Sequence, residues 1–183
     1  MLIQLLSFNI VRKWRTYRKM KFTFCPDCGE RLIKKEIGDE GLMNYCKNCQ
    51  KPIFDLFSTC IITLILNEEG QVALLRQNYI SKEFYCLVAG YIKSGETAEE
   101  TTFRETEEEL GIKLLHTKFL KSYYYQKKDM LMLAFISKAA SNEFRLSKEV
   151  DAAEWIPILQ AKKLLREGSI AKQVVLDYLA NLC

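Results

Sequence analysis

The chain has 183 residues, of which 49% are apolar and 27% charged, which suits one ordinary globular domain with a small appendage and excludes a low-complexity chain. Net charge is +4, but residues 1–20 carry Arg12, Lys13, Arg15, Arg18 and Lys19 and no acid, a local +5 that leaves the rest of the chain at −1. The main body therefore offers no electrostatic case for general nucleic-acid binding.

Residues 1–11 are apolar and precede the basic cluster. A secretory signal has the reverse order and ends in a small-residue cleavage site, and neither feature is present. The stretch is too short to span a bilayer, although an amphipathic helix lying on a membrane surface would fit it. A plainer alternative takes Met20 as the natural start, since Met20-Lys-Phe-Thr-Phe-Cys leads directly into the first motif. Residues 1–21 are accordingly read as a basic extension. No other segment could cross a membrane, and the expected compartment is cytoplasmic.

Cys25-Pro-Asp-Cys28 and Cys46-Lys-Asn-Cys49 stand 17 residues apart, inside the spacing window of a zinc ribbon. Two such knuckles present four thiolates to one tetrahedral Zn²⁺, with no open position, so the zinc would be structural. A disulfide reading needs an oxidising compartment, for which nothing argues. Residues 22–56 form this module, with 34–41 as a charged, glycine-containing hairpin tip. Cys60 and Cys86 lie in apolar runs and read as small core residues. The lone histidine, His116, has no histidine partner and reads as structural or exposed.

Residues 57–183 follow as a second domain. The run 60–66 reads as a buried strand, 67–70 as a turn, and 71–76 and 84–92 as further strands. Thr97-Ala-Glu-Glu100 is a capping-box sequence, so a helix should start after Thr97 and end before Gly111, a natural left-handed residue. Strands are expected at 113–125 and 131–137 around a polar turn at 126–129, and again at 151–156. Helical periodicity covers 158–166 and 169–182. Strands flanked by two or three helices imply an α/β/α sandwich with a mixed sheet.

Glu105, Glu108 and Glu109 stand at i, i+3 and i+4 of the first helix, so their carboxylates share one face of hard oxygen ligands suited to Mg²⁺ or Mn²⁺. Glu107–Glu109 also crowd the negative end of the helix dipole, where each carboxylate costs about 0.3–1 kcal/mol. A local rule broken without local gain is where function is expected, although most glutamate runs are simply solvated. Arg104 lies one turn before Glu108 and can pair with it or with Glu96.

The whole run, G-x5-E-x7-R-E-x-x-E-E-x-G from Gly90 through Glu96 and Arg104 to Gly111, resembles a Nudix box. With the four-cysteine module before it and Gly168-Ser-Ile-Ala171 after it, residues 22–182 resemble the NADH pyrophosphatase branch of the Nudix hydrolases. The extra domain that such enzymes often carry before the ribbon has no counterpart in this sequence. Thr106 departs from the family, which usually has a bulky aliphatic residue there.

The resemblance implies that divalent cations are bound by Glu105, Glu108, Glu109, the Ala89 carbonyl and Glu149, with Arg104 orienting the carboxylates and Gly90, Glu96 and Gly111 supporting the box. It also implies a small nucleotide substrate cleaved at a phosphoanhydride, and a homodimer is compatible with it. The array Ser-Gln-Pro-Trp-Pro-Phe-Pro-x-Ser of that branch is replaced by Ser122-Tyr-Tyr-Tyr-Gln-Lys-Lys-Asp-Met130, in which only the first serine survives. Tyr123, Tyr124 and Tyr125 could stack a base, and Lys127 and Lys128 could meet phosphates, with Ala171 beside them. Alternating tyrosines on a half-exposed strand are as often structural. NAD(H) pyrophosphatase-like hydrolysis is the leading expectation. ADP-ribose, FAD or a capped RNA 5′ end are the alternatives within the family, and a non-catalytic nucleotide or RNA sensor is the alternative outside it.

Overall fold

The computed structural model describes residues 22–182. The basic extension at residues 1–21 and Cys183 lie outside them. The chain divides into two compact units, with the boundary between Leu56 and Phe57.

The first unit contains a three-stranded antiparallel sheet, β1 (Ile33–Glu36), β2 (Leu42–Cys46) and β3 (Lys51–Ile53). Its core is small: Cys25, Cys46 and Ile53 are buried, with Phe22, Leu32 and Cys49 packed on them. The Gly29 amide donates to the Cys25 carbonyl at 2.9 Å, and its φ of 74° closes the first knuckle in a conformation open to glycine. In the second knuckle the Cys49 amide donates to Cys46 Sγ at 3.3 Å.

The second unit is a mixed six-stranded sheet between helices. Its strands are β4 (Ser58–Leu66), β5 (Gln71–Arg76), β6 (Val88–Tyr91), β7 (Leu114–Tyr125), β8 (Met130–Ala139) and β9 (Ala152–Pro157). The order is β7-β8-β4-β5-β9, with β6 also paired to β4. The central pair β4–β8 is parallel, and the other pairs are antiparallel.

Both faces of the sheet are covered, which is why β4 and β5 read as continuous apolar runs rather than alternating ones. Ile62, Leu64, Val72 and Leu74 face helices α2 (Ile158–Leu164) and α3 (Ile170–Ala180). Ile65, Ala73, Leu75 and Val88 pack in a second cluster with Leu110 and Ile112, at the end of helix α1 (Ala98–Leu110). Two hydroxyls lie inside the sheet, Thr63 Oγ1 and Ser137 Oγ, 2.7 Å apart and both buried, with Thr117 Oγ1 at 2.8 Å from the same serine oxygen.

Most elements fall within two residues of the sequence reading. The exception is 84–92, where regular strand begins only at Val88. Tyr85 and Cys86 instead make isolated bridges, Tyr85 to Leu165 and Cys86 to Leu75. Among the described residues no helix is long and apolar enough to cross a membrane.

Candidate active site

Helix α1 begins on the capping box read from sequence: Glu100 N donates to Thr97 Oγ1 at 3.1 Å and Thr97 N donates to Glu100 Oε2 at 2.8 Å. Its buried face is mostly polar, with Thr101, Thr102, Thr106 and Glu109 beside Leu110. Each threonine hydroxyl bonds back to a carbonyl one turn earlier, so none is orphaned. Thr106, fully buried and bonded to the Thr102 carbonyl at 2.8 Å, occupies its position without a packing defect of the polar kind.

The C-terminal end of α1 lacks a cation. Its last carbonyls are satisfied instead by a neighbouring segment: Arg145 N donates to Leu110 O at 2.7 Å and Ser147 N to Glu109 O at 3.0 Å. Ser147 Oγ then accepts from Glu149 N at 3.2 Å. The orphan end of the helix thus draws in the turn that carries Glu149, and Asp151 N continues the stitching to the Arg76 carbonyl at 2.9 Å. Gly111, at φ 67°, ends the helix with its amide on the Glu107 carbonyl, and a Cβ there would stand 2.5 Å from that of Arg145.

Arg104 ties the upstream half together. Its Nε and Nη2 grip Glu96 at 2.6 and 2.9 Å, its Nη1 bridges Glu105 at 2.6 Å and Glu108 at 2.9 Å, and Nη2 also reaches the Tyr91 carbonyl at 3.1 Å. The guanidinium holds the Glu96 carboxyl at about 2. Gly90, in β6, lies so close to the helix that a Cβ would sit 1.9 Å from the carboxyl carbon of Glu105. Ala89 beside it is half-buried against the α2/α3 side of the sheet.

Glu109 is the buried member of the set, 7% exposed. Gln77 Nε2 donates to its Oε1 at 3.2 Å, while Oε2 is buried with no partner. Burial pushes this carboxyl up to about 7; the Gln77 bond opposes the shift, and the charges of Glu105, Glu149 and Glu108 add to it. The structure therefore gathers Glu105, Glu108, Glu109 and Glu149 at the end of one helix. Their oxygens do not form a single ligand-sized cluster, and Arg104 pairs with Glu105 and Glu108.

The four cysteines do form such a cluster, with all Sγ atoms within 4.8 Å of one another. Cys25–Cys49 and Cys28–Cys46 are 3.9 and 3.5 Å apart, on either side of the ~3.8 Å expected between thiolates in a tetrahedral site with 2.3 Å bonds. Bonds from the Glu30 backbone and Asn48 lower the Cys28 thiol to about 6.

The tyrosine segment divides. Tyr123 is part of the main core, and its hydroxyl donates to Asp177 of α3 at 2.6 Å, where Lys121 also lands at 2.9 Å. Burial and that carboxylate push its phenol up. The expectation that this ring is an open stacking surface is corrected: its face is spent on packing. Tyr124 is exposed and bonded to Asp129, and Tyr125 is half-buried. Lys127 and Lys128 are exposed in the turn after β7, and Ala171 packs in the first turn of α3. His116 is exposed on β7. Gln77 was invisible to motif reasoning, since a glutamine 32 residues before its partner carries no spacing signal.

A family model described as NUDIX domain matches residues 57–178. The NAD-capped RNA hydrolase NudC of Photobacterium profundum is 26% identical over 159 residues, covering 86% of this chain. The NAD-capped RNA hydrolase NUDT12 of Homo sapiens is 28% identical over 158 residues, 81% of this chain and 34% of that protein. The chain spans 58% of the length of the first of these relatives. In fold, it is similar to a NUDIX hydrolase from Nitrosomonas europaea, with a TM-score of 0.65 at 18% identity over 87% of this chain and 92% of that one. It is likewise similar to the NUDIX domain of Shewanella oneidensis NrtR complexed with ADP ribose, with a TM-score of 0.60 at 14% identity over 76% and 94% of the two chains. With the family match covering two thirds of its length and the sheet and box helix arranged as described, the chain belongs to the NUDIX domain family.

Proposed function

We propose that this chain is a metal-dependent hydrolase of a phosphoanhydride bond in a nucleoside diphosphate-linked compound, NAD(H) pyrophosphatase-like. The observation that carries the reading is the buried, unpartnered Glu109 Oε2 among three further carboxylates. Leaving an ionised oxygen dry and unpaired is costly, and a hard divalent cation is the group that relieves it. Glu105, Glu108, Glu109 and Glu149, with the Ala89 carbonyl, would hold Mg²⁺ or Mn²⁺. When bound, such ions neutralise the diphosphate and activate a water for in-line attack on phosphorus.

The chain's own groups do the positioning. Arg104 fixes Glu105 and Glu108 against the Glu96 loop, and Gly90 leaves room for the Glu105 side chain. Tyr124, Tyr125, Lys127 and Lys128 are proposed to meet base and phosphates near Ala171, and Tyr123 to support them from within the core. We read residues 22–56 as a zinc ribbon, supported by the tetrahedral thiol spacing, and 57–183 as the hydrolase domain.

Similarity to NAD-capped RNA hydrolases favours a second substrate with the same bond, an NAD-capped RNA 5′ end. Assay of NADH, NAD⁺, ADP-ribose, FAD and NAD-capped RNA with Mg²⁺ and Mn²⁺ separates these readings. Turnover of at least one, abolished by EDTA, is expected. No turnover of any would leave the sensor reading standing, and full activity in EDTA would refute the metal-dependent reading.

A further inference from the structure

Glu109 owes its orientation to a residue outside the box. We propose that Gln77 is a positioning residue that presents Glu109 Oε2 to the catalytic cation, an inference that rests on the metal-dependent reading above. Gln77, the residue that follows β5, is 3% exposed, and its carboxamide lies between the buried Glu109 and the half-buried Cys86. On one side Nε2 donates to Glu109 Oε1 at 3.2 Å. On the other, the Cys86 thiol donates toward Gln77 Oε1 at 3.2 Å and toward the Leu75 carbonyl at 3.4 Å.

This chain of donors fixes which way the amide points. Burial pushes the Cys86 thiol up to about 12, so it stays protonated and acts as a donor. The oxygen of the amide therefore faces Cys86 and its NH₂ group faces Glu109 Oε1. The Gln77 backbone is anchored as well, its carbonyl accepting from Ile80 N at 2.8 Å and Ser81 N at 3.0 Å. With Oε1 bonded to Gln77, Oε2 is the oxygen left without a protein partner. This is the arrangement by which an outer residue tunes a metal-binding carboxylate, where loss of the supporting bond typically costs about 10–100-fold in affinity or activity.

The test compares Gln77→Met, which keeps length and removes the donor, with Gln77→His, which restores an N–H. Mn²⁺ binding to the full chain is measured without substrate, from the loss of the free Mn²⁺ paramagnetic resonance signal. The Mg²⁺ activation constant and kcat are measured separately. Gln77→Met should weaken Mn²⁺ binding by about tenfold or more and raise the Mg²⁺ activation constant in parallel, with Gln77→His recovering most of the loss. Equal Mn²⁺ affinity in folded Gln77→Met and wild type, or a Gln77→His variant as weak as Gln77→Met, overturns the role. Should Gln77→Met not fold, Cys86→Ala decides: it frees the amide to turn, and an unchanged Mn²⁺ affinity refutes the proposal, whereas a loss of threefold or more upholds it. Wild-type protein that binds no Mn²⁺ would instead refute the metal-dependent reading itself.

Discussion

Gly90 and Glu105 are packed so closely that the smallest added side chain at position 90 would overlap the glutamate, with a Cβ 2.1 Å from its Oε1. The backbone conformation of Gly90 is one that other residues adopt, so the requirement is space rather than a left-handed turn. Glu105 cannot simply swing away, because Arg104 holds it at 2.6 Å. Gly90→Ala is expected to fold, since the clash is with a side-chain end, but to displace the carboxylate. A shift of an ångström at a reacting centre costs on the order of 100-fold, which sets the expected loss in kcat/KM. Wild-type kinetics in this variant would show that Glu105 is not needed where the structure puts it.

Glu108→Gln and Glu109→Gln should each lower turnover by at least ~100-fold, more than the loss of a supporting residue, while leaving the fold intact. Steady-state kinetics together with circular dichroism check both halves of this expectation. The two variants differ in stability. Glu109→Gln removes a buried charge and should raise the melting temperature of the metal-free protein, whereas Glu108→Gln, half-exposed and paired with Arg104, should change it little.

The Glu109 carboxyl, pushed up to about 7, gives the metal-free protein a pH signature. In the unfolded chain the same group titrates near ~4.3. Between these values the folded state binds more protons, so this group's stabilising contribution is present at low pH and is lost as pH rises towards 7. The melting temperature without metal should therefore fall between pH 5 and 8. Glu109→Gln, or saturating Mg²⁺, should flatten the slope. Glu96, held at about 2, acts in the opposite sense, but only below its unfolded value.

Removing zinc should unfold residues 22–56 and spare the sheet of the second unit. Among the described residues the first unit buries only Cys25, Cys46 and Ile53 as apolar core, two of which are themselves thiols. Structural zinc contributes an apparent ~10–16 kcal/mol in comparable small modules, far beyond what such a core supplies. Hydrogen exchange with and without a chelator reads the two units separately. Protection of β1–β3 that survives chelation would refute the dependence.

The box was legible because its information is local: the capping box, the i, i+3, i+4 carboxylates and the terminal Gly111 all act within one helix. Glu149 is named only through resemblance, and the turn that carries it is held in space by amides of Arg145 and Ser147 meeting the last carbonyls of α1. Gln77 and Asp177 were not legible, since hydrogen bonds across 32 and 54 residues leave no periodic trace. Tyr123 misled because alternation places a ring on a face without saying what covers that face. The shortened strand at 84–92 has the same origin: Tyr85 and Cys86 have strand-like composition but bond to Leu164 and Leu75 rather than to a continuous neighbour.

The parallel pairing of β4 with β8 sets the order in which the molecule can assemble. Ser58–Leu66 aligns with Met130–Lys138; β5, β6, α1 and β7 lie in the stretch between them, and Glu149 lies beyond it. A chain emerging from the ribosome must therefore hold β7 without the strand that joins it to β4 until Ala139 has been made. Closing so long a loop is slow. The buried Thr63–Ser137 hydroxyl pair gives the late-arriving strand a polar mark to find, because a slip along β4 would leave each hydroxyl facing hydrocarbon. Glu149 follows this strand in the chain, so the set of four carboxylates is complete only after the sequence of the central pair has been made.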